Sequence, residues 1–485
     1  MDLGHPNKFE LSPYRNLMER NKKMKVQFRA AALVLAGLTA LLLGSCRDSV
    51  NSLGVNLTVD QRSLSNGLKV ILVEDHTVPV VSYQTWFRVG SVDEKLGMTG
   101  ISHLFEHLMF KGTPKYGPKQ FFQQLETKGA EVNAYTTRDY TVYYENFTPD
   151  LIPTVIDMES DRLANLKLDD DVLNTERQVV LEERRLRTDN SPGGRIQEAL
   201  WELAYQRHPY QWPVIGYPQD LLSLTLPQVV EYFKSHYQPA NATLVIVGDF
   251  KSDQIFSQIK KAYSAIPAQK QPKRDIPSEP EQTEEHRLSL YDQVASERFA
   301  QGYHVTSAKD DDSYSLDVLA NILFEGTSSR AYRRLVDEMD IMTGISGSAF
   351  TPTYPGLFMV SGSMKGDHKS TEAEKVLDTL IKETQEKLVT PEEIQVAVRQ
   401  LTVQIVDSVR TPYGMGQLIG TVVTIFGDPE RFAHDLEKYL KVTQKDVQRV
   451  AQKYLIPNNR SIITMLPKGP EEPKGSETAK EGSKK

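Results

Sequence analysis

Two of the 10 histidines in this 485-residue chain stand in "HLFEH", His103 to His107, four residues apart with Glu106 between them. On a helix, positions i and i+4 project from the same side one turn apart, so both imidazoles can reach a single cation. A catalytic zinc takes three protein ligands and leaves one position open, and hydrolysis needs a neighbouring base to accept the proton of the attacking water. Two imidazoles and an adjacent carboxylate supply most of both requirements, with Glu106 as the base. Composition alone would produce H-x-x-E-H in about one chain of this size in a hundred, so a solvated helix face is the weaker explanation. The third ligand must come from elsewhere. "DVLNTERQVVLEERRLRTD", from Asp171, offers Glu176, Glu182 and Glu183. Glu176 and Glu183 lie seven apart and share a face, with Glu182 rotated off it, and spacing alone does not choose among the three.

These side chains need elements to hold them. Around the motif, Ile101, Leu104, Phe105, Leu108 and Met109 fall at i, i+3, i+4, i+7 and i+8. That pattern predicts a helix over Thr99–Lys111 with an apolar face opposite His103, Glu106 and His107. Further helices are expected over Pro118–Lys128, Pro149–Leu166 and Asp170–Arg187, and strands in "LKVILVED", "VVSYQTWFRVG" and "VNAYTTRDYTVYYENF". Such grouping predicts an α+β fold, with helices packed on a largely antiparallel sheet.

The pattern occurs twice. "LTLPQVVEYFKSHYQPANATLVIV", from Leu224, aligns without gaps on "VTQKDVQRVAQKYLIPNNRSIITM", from Val442; each reads as an amphipathic helix, a Pro-Asn turn and a strand. "FKGT" at Phe110 and "FEGT" at Phe324 repeat in the same order, which predicts duplicated halves. The stretch 266–288, dense in Pro, Gln, Glu and Lys, reads as the linker between them. The expected organisation is a leader (1–46), a tether (47–60), a zinc-bearing domain (61–265), the linker, a second domain (289–467) and a solvated tail (468–485), the two domains facing each other as a clamshell.

With hydrophobic residues at 39% and charged residues at 25%, the composition is that of an ordinary soluble body. A net charge of -7 and the lack of a long basic run in the body of the chain exclude a nucleic-acid partner from the expectation. Near the N-terminus Lys22, Lys23, Lys25 and Arg29 precede the uncharged run "AAALVLAGLTALLLGSC", which closes at Cys46, the single cysteine. Positive flank, short apolar run and small residues make a secretory signal. "LGSC" resembles a bacterial lipobox, which makes Cys46 the expected lipidation site. The protein is then anchored by lipid in the cell envelope, facing the periplasm, at the outer membrane rather than the inner.

H-x-x-E-H is the inverzincin signature, and the chain resembles the insulinase and pitrilysin metallopeptidases. The resemblance extends through "LSNGLKVILVED", "VGSVDEKLGMTGISHLFEHLMFKGT", "GAEVNAYTTRDYTVYYEN", "TERQVVLEE", "HPYQWPVIGYPQDL" and "YQPANATLVIVGDF". It is most similar to two-domain bacterial members related to mitochondrial processing peptidase. It implies a zinc endopeptidase with one Zn2+ per chain held by His103, His107 and Glu183, with Glu106 as catalytic base and Glu176 as a supporting acid. It also implies that Asn133 and Ala134 of "NAYT" bind substrate along an edge strand. The second half departs from the motif, with Asp317, Ala320 and Asn321 at the positions of His103, Glu106 and His107. The family's Arg and Tyr of the second half, which hold substrate across the cleft, fall here on Val336 and Thr343. The expectation is therefore the zinc-bearing subunit of a heterodimer with a paralogue that carries the Arg/Tyr pair, with a homodimer as the alternative. The rival function is a non-catalytic structural or peptide-binding subunit of a membrane-attached complex.

Overall fold

The computed structural model describes residues 58–468, apart from 119, 268–269, 271–272 and 430. The leader with Cys46 and the residues after Lys468 lie outside the described part. Two α+β domains result, each a mixed sheet packed with helices. The first sheet contains β1 (Asp60–Ser63), β2 (Lys69–Glu74), β3 (Val81–Phe87), β4 (Glu131–Thr136), β5 (Thr141–Phe147) and β6 (Ala242–Gly248), in the order β1-β2-β6-β3-β5-β4. The second contains β7 (His286–Asp292), β8 (Arg298–His304), β9 (Met342–Phe350), β10 (Leu357–Met364) and β11 (Arg460–Pro467), in the order β7-β11-β8-β10-β9. Each sheet is antiparallel except for one pair, β2 with β6 and β7 with β11. Those parallel pairs involve the two strands that the sequence repeat aligns. β7 begins at His286, inside the stretch read as linker, because its alternating residues pair with β11.

The helices of the first half are α1 (Ile101–Leu108), α2 (Gln120–Glu126), α3 (Ile152–Asn165), α4 (Asp170–Arg184), α5 (Pro192–Ala204), α6 (Pro218–Ser223), α7 (Leu226–His236) and α8 (Ser252–Tyr263). Those of the second are α9 (Asp312–Phe324), α10 (Ser370–Glu386), α11 (Pro391–Ser408), α12 (Pro412–Phe426), α13 (Arg431–Lys441) and α14 (Gln444–Tyr454). The apolar stripe of α1 behaves as its period demands: Ile101, Leu104, Phe105 and Leu108 are buried in the first core with Tyr83 and Phe87 of β3. Among the described residues no helix is long and apolar enough to cross a membrane.

β3 is buried along its whole length, which a sheet with a solvated face would not permit. The cause is an exchange of helices between the halves. α12 packs on β3 and β6 of the first sheet, and α5 packs on β7, β8 and β11 of the second. Gly420 makes the first contact: a Cβ there would stand 2.0 Å from the Trp86 ring. Beside it the Gln84 side-chain amide donates to the Tyr413 carbonyl at 3.0 Å. Both exchanged helices open alike, with an N-cap hydroxyl followed by proline. Ser191 Oγ accepts from Gly194 N–H at 3.3 Å, and Thr411 Oγ1 accepts from Gly414 N–H at 3.0 Å.

Candidate metal centre and cleft

α1 is fixed before its histidines are placed. Its N-cap is Gly100 at φ +84°, a left-handed conformation that glycine adopts without steric cost. The buried Glu94 carboxylate accepts from Gly100 N–H and Ser102 N–H, both at 2.8 Å, satisfying amides that the first helical turn leaves free. Asp220 Oδ2, just ahead, accepts from Thr99 Oγ1 at 2.7 Å and from Gly97 N–H at 3.0 Å. Two carboxylates therefore set where α1 begins, and its pitch sets where the imidazoles point.

His103 and His107 face each other with ring centroids 5.0 Å apart. Glu183 Oε2 lies 3.8 Å from His103 Nε2 and 3.1 Å from His107 Nε2. One ligand atom from each of the three falls within 4.8 Å of the others, and no other such group of three converges among the described residues. Bonds of 2.0–2.1 Å at a tetrahedral zinc separate ligand atoms by about 3.4 Å, so the donors fit that ion. Of the three glutamates that spacing left open, Glu183 enters the cluster. Glu182 points outward to Arg185. Glu176 is buried behind His107, its Oε1 2.8 Å from Lys111 Nζ and its Oε2 3.7 Å from His107 Nδ1.

The electrostatics agree with a cation at this point. Burial, reinforced by His107, pushes the His103 imidazole down to about 4 and keeps it neutral, as a ligand must be. Burial also opposes charge on His107, but hydrogen bonding to Glu176 and Glu183 outweighs it and lifts that ring to about 9. Carboxylates gathered on one imidazole hold positive charge, as a proton or as a metal. Glu106 stands in the same cluster, its Oε2 3.9 Å from His103 Nε2, and accepts from Thr136 Oγ1 at 2.7 Å. Burial raises its carboxyl above the usual range, and the Thr136 hydroxyl works in the opposite direction.

The cluster opens on a cavity of about 610 Å³. Asn133 and Ala134 line it from β4, the free edge of the first sheet. Ala134 N–H donates to Asn133 Oδ1 at 2.8 Å. Arg138, Gln197 and Trp201 line it as well, with the Arg138 guanidinium 3.7 Å over the Trp201 ring. Nothing in the sequence pattern singled these three out: α5, which holds Gln197 and Trp201, carries no motif, and Arg138 lies in the turn between β4 and β5.

In the second half, Asp317 is half-buried and Ala320 and Asn321 are buried in α9, Asp317 accepting from Tyr439 OH at 2.6 Å, while Asn321 Nδ2 donates to Glu325 at 3.2 Å. The scaffold is repeated without the ligands. Val336 packs against the second core, and Thr343 Oγ1 donates to the Ser363 carbonyl at 3.2 Å.

Residues 69–217 match the family model described as Insulinase (Peptidase family M16), and residues 223–401 match the Peptidase M16 inactive domain. A zinc protease of Helicobacter pylori, PqqE, is 27% identical over 439 residues, covering 89% of this chain and 98% of its own. The crystal structure of a protease from the same species superposes with a TM-score of 0.81 at 27% identity, over 85% of this chain and all of that one. The periplasmic protease PqqL of Escherichia coli shares the fold at 18% identity and a TM-score of 0.69, over 84% of this chain and 47% of its own.

Proposed function

The chain belongs to the insulinase family of zinc metallopeptidases, and from this premise we propose that it cleaves extended peptides or unfolded protein segments with His103, His107 and Glu183 as metal ligands and Glu106 as base. Its zinc-dependent endopeptidase activity follows from the family and the His/His/Glu cluster. The observation that carries the residue assignment is the convergence of three ligand atoms within 4.8 Å, beside a fourth carboxylate and an open cavity.

Zinc in this site supplies Lewis acidity, activating water at neutral pH and polarising a carbonyl. The protein's own groups do the rest. Glu106 takes the proton of the attacking water on its carboxylate and delivers it to the nitrogen of the departing amine. Thr136 aims that carboxylate. Glu176 orients His107 from behind, in the manner of an outer carboxylate partner, and against burial the His107 hydrogen bond and Lys111 hold the Glu176 carboxyl below the usual carboxylate range. A peptide added in extended form along β4 would displace the Asn133 side chain from Ala134 N–H and take that donor with a carbonyl. Backbone pairing of this kind grips many sequences.

Val336 and Thr343 offer neither a guanidinium nor a phenol, which supports the role of zinc-bearing subunit beside a paralogue that has both. The leader and Cys46 support a lipid-anchored envelope location, and the related fold of a periplasmic protease is consistent with it. The test is cleavage of a quenched peptide library by the chain with and without its paralogue, alongside bound zinc. Zinc with cleavage that is lost in Glu106→Gln is the expected result. Zinc without cleavage in any combination would refute the peptidase assignment, and full activity of the isolated chain would refute the heterodimer.

A further inference from the structure

Across α5 from the metal cluster lies a second cavity of about 750 Å³, floored by the second sheet. The two cavities share a wall: Gln197 of α5 lines both, and the neighbouring Gly194 and Gly193 line one each. A peptide held at the zinc cluster that extended past Gln197 would reach this floor. The floor is largely apolar, with Ile345, Met359 and Val360 in it, and serine hydroxyls are set among these residues. Ser346 of β9 and Ser361 of β10 stand opposite each other in register, and Ala300 of β8 pairs with Ser361 on the other side. Thr343, where the family's phenol would stand, lies in the same wall.

One basic side chain lines this cavity, Arg298 at the start of β8. It makes no side-chain hydrogen bond or ion pair among the described residues. Among the part-buried arginines of the described residues Arg88 shares that state, whereas Arg62, Arg162, Arg184, Arg274, Arg330 and Arg460 each hold a carboxylate. The one acidic side chain in the wall, Glu325, accepts from Asn321 Nδ2 at 3.2 Å and forms no ion pair with Arg298. A part-buried guanidinium offers five donors in a planar fork that matches a carboxylate, and serine hydroxyls beside it can donate to the same oxygens.

We propose that this cavity is a substrate subsite in which Arg298 binds a carboxylate of the peptide being cleaved. The carboxylate is either an Asp or Glu side chain or the peptide's own C-terminus; both present the same two oxygens. The inference rests on the peptidase assignment and adds to it a preference for acidic substrates that the zinc half does not contain. It also gives the chain a cation of its own on the second sheet, in β8, where the family's Arg position is Val336.

The experiment uses the full-length, zinc-loaded Glu106→Gln chain, which retains bound peptide, and three fluorescent peptides of one uncharged sequence. One is C-terminally amidated, one has a free C-terminus, and one is amidated with a single Glu; affinities are read by anisotropy. The expected result is tighter binding of at least one carboxylate peptide than of the neutral amide. Arg298→Gln should cut that advantage about tenfold, the range of a hydrogen bond to a charged partner. Arg298→Lys should recover part of it, and Arg298→Glu should turn it towards a peptide with Lys in place of Glu, which a misfolded variant could not do. The free-terminus and Glu peptides separate the two sources of the carboxylate. If all peptides bind equally, or the acidic advantage survives Arg298→Gln, the subsite is refuted while the peptidase assignment stands. If no peptide binds the parent chain with or without its paralogue, both fall.

Discussion

Thr136 Oγ1 donates a 2.7 Å hydrogen bond to Glu106 Oε2, joining the last residue of the edge strand β4 to the carboxylate beside the metal ligands. The strand that would receive substrate thus also aims the base. Thr136→Val should lower kcat by about tenfold or more, the cost of losing a hydrogen bond to a charged group, with bound zinc unchanged. Thr136→Ser should restore most of it. Steady-state kinetics with zinc quantified on the same samples checks both.

Zinc binding should be visible as stability. With free zinc at about 100 times its Kd, a metal that binds only the folded chain adds about 2.7 kcal/mol. His107→Ala or Glu183→Gln should abolish most of that gain and the stoichiometric zinc, while Glu182→Gln should retain both. Thermal melts with and without chelator measure the difference.

Asp317 marks what the second half became. Burial raises its carboxyl to about 7, so the folded state binds this proton more tightly than the unfolded chain does. Stability should therefore fall as pH rises from the ordinary carboxylate range to about 7, and level off above it. Asp317→Asn keeps an acceptor for Tyr439 OH and removes the titration. It should be more stable than the parent chain by about 2–4 kcal/mol at pH 8 and nearly equal at pH 4. Denaturant melts at the two pH values test the sign.

Much of this was legible in the residues. The period of α1 fixed both its buried face and the side that carries His103, Glu106 and His107, because a helix translates spacing directly into direction. The repeat at Leu224 and Val442 located β6 and β11, one strand of each parallel pair. The choice of Glu183 over Glu182 was half legible from spacing, and the geometry completed it. What stayed hidden depended on contacts between distant segments. The matching openings "SPGG" at Ser191 and "TPYG" at Thr411 carry no signal that each helix docks on the other half's sheet. Gln197 and Trp201, on α5, reach the cavity through that docking. Cys46 and the leader lie outside the described residues.

Gly420 should tolerate nothing larger. A Cβ at 2.0 Å from Trp86 leaves the helix or the ring to move, so Gly420→Ala should destabilise the chain by about 1–3 kcal/mol despite its better helix propensity. Gly427, with no neighbour within 4 Å but a φ of +81°, should lose stability on the same change through backbone strain alone. Urea midpoints of the two variants, with far-UV helicity, distinguish the causes.

The traded helices α5 and α12 make each half's sheet depend on the other half. Two half-length copies that each lend one helix to the other's sheet are related as the protomers of a symmetric dimer are, and joining them end to end would leave every contact in place. The zinc-bearing copy therefore cannot be excised and expected to survive: without the helix at 412–426, the Gln84 and Trp86 face of its sheet would meet water.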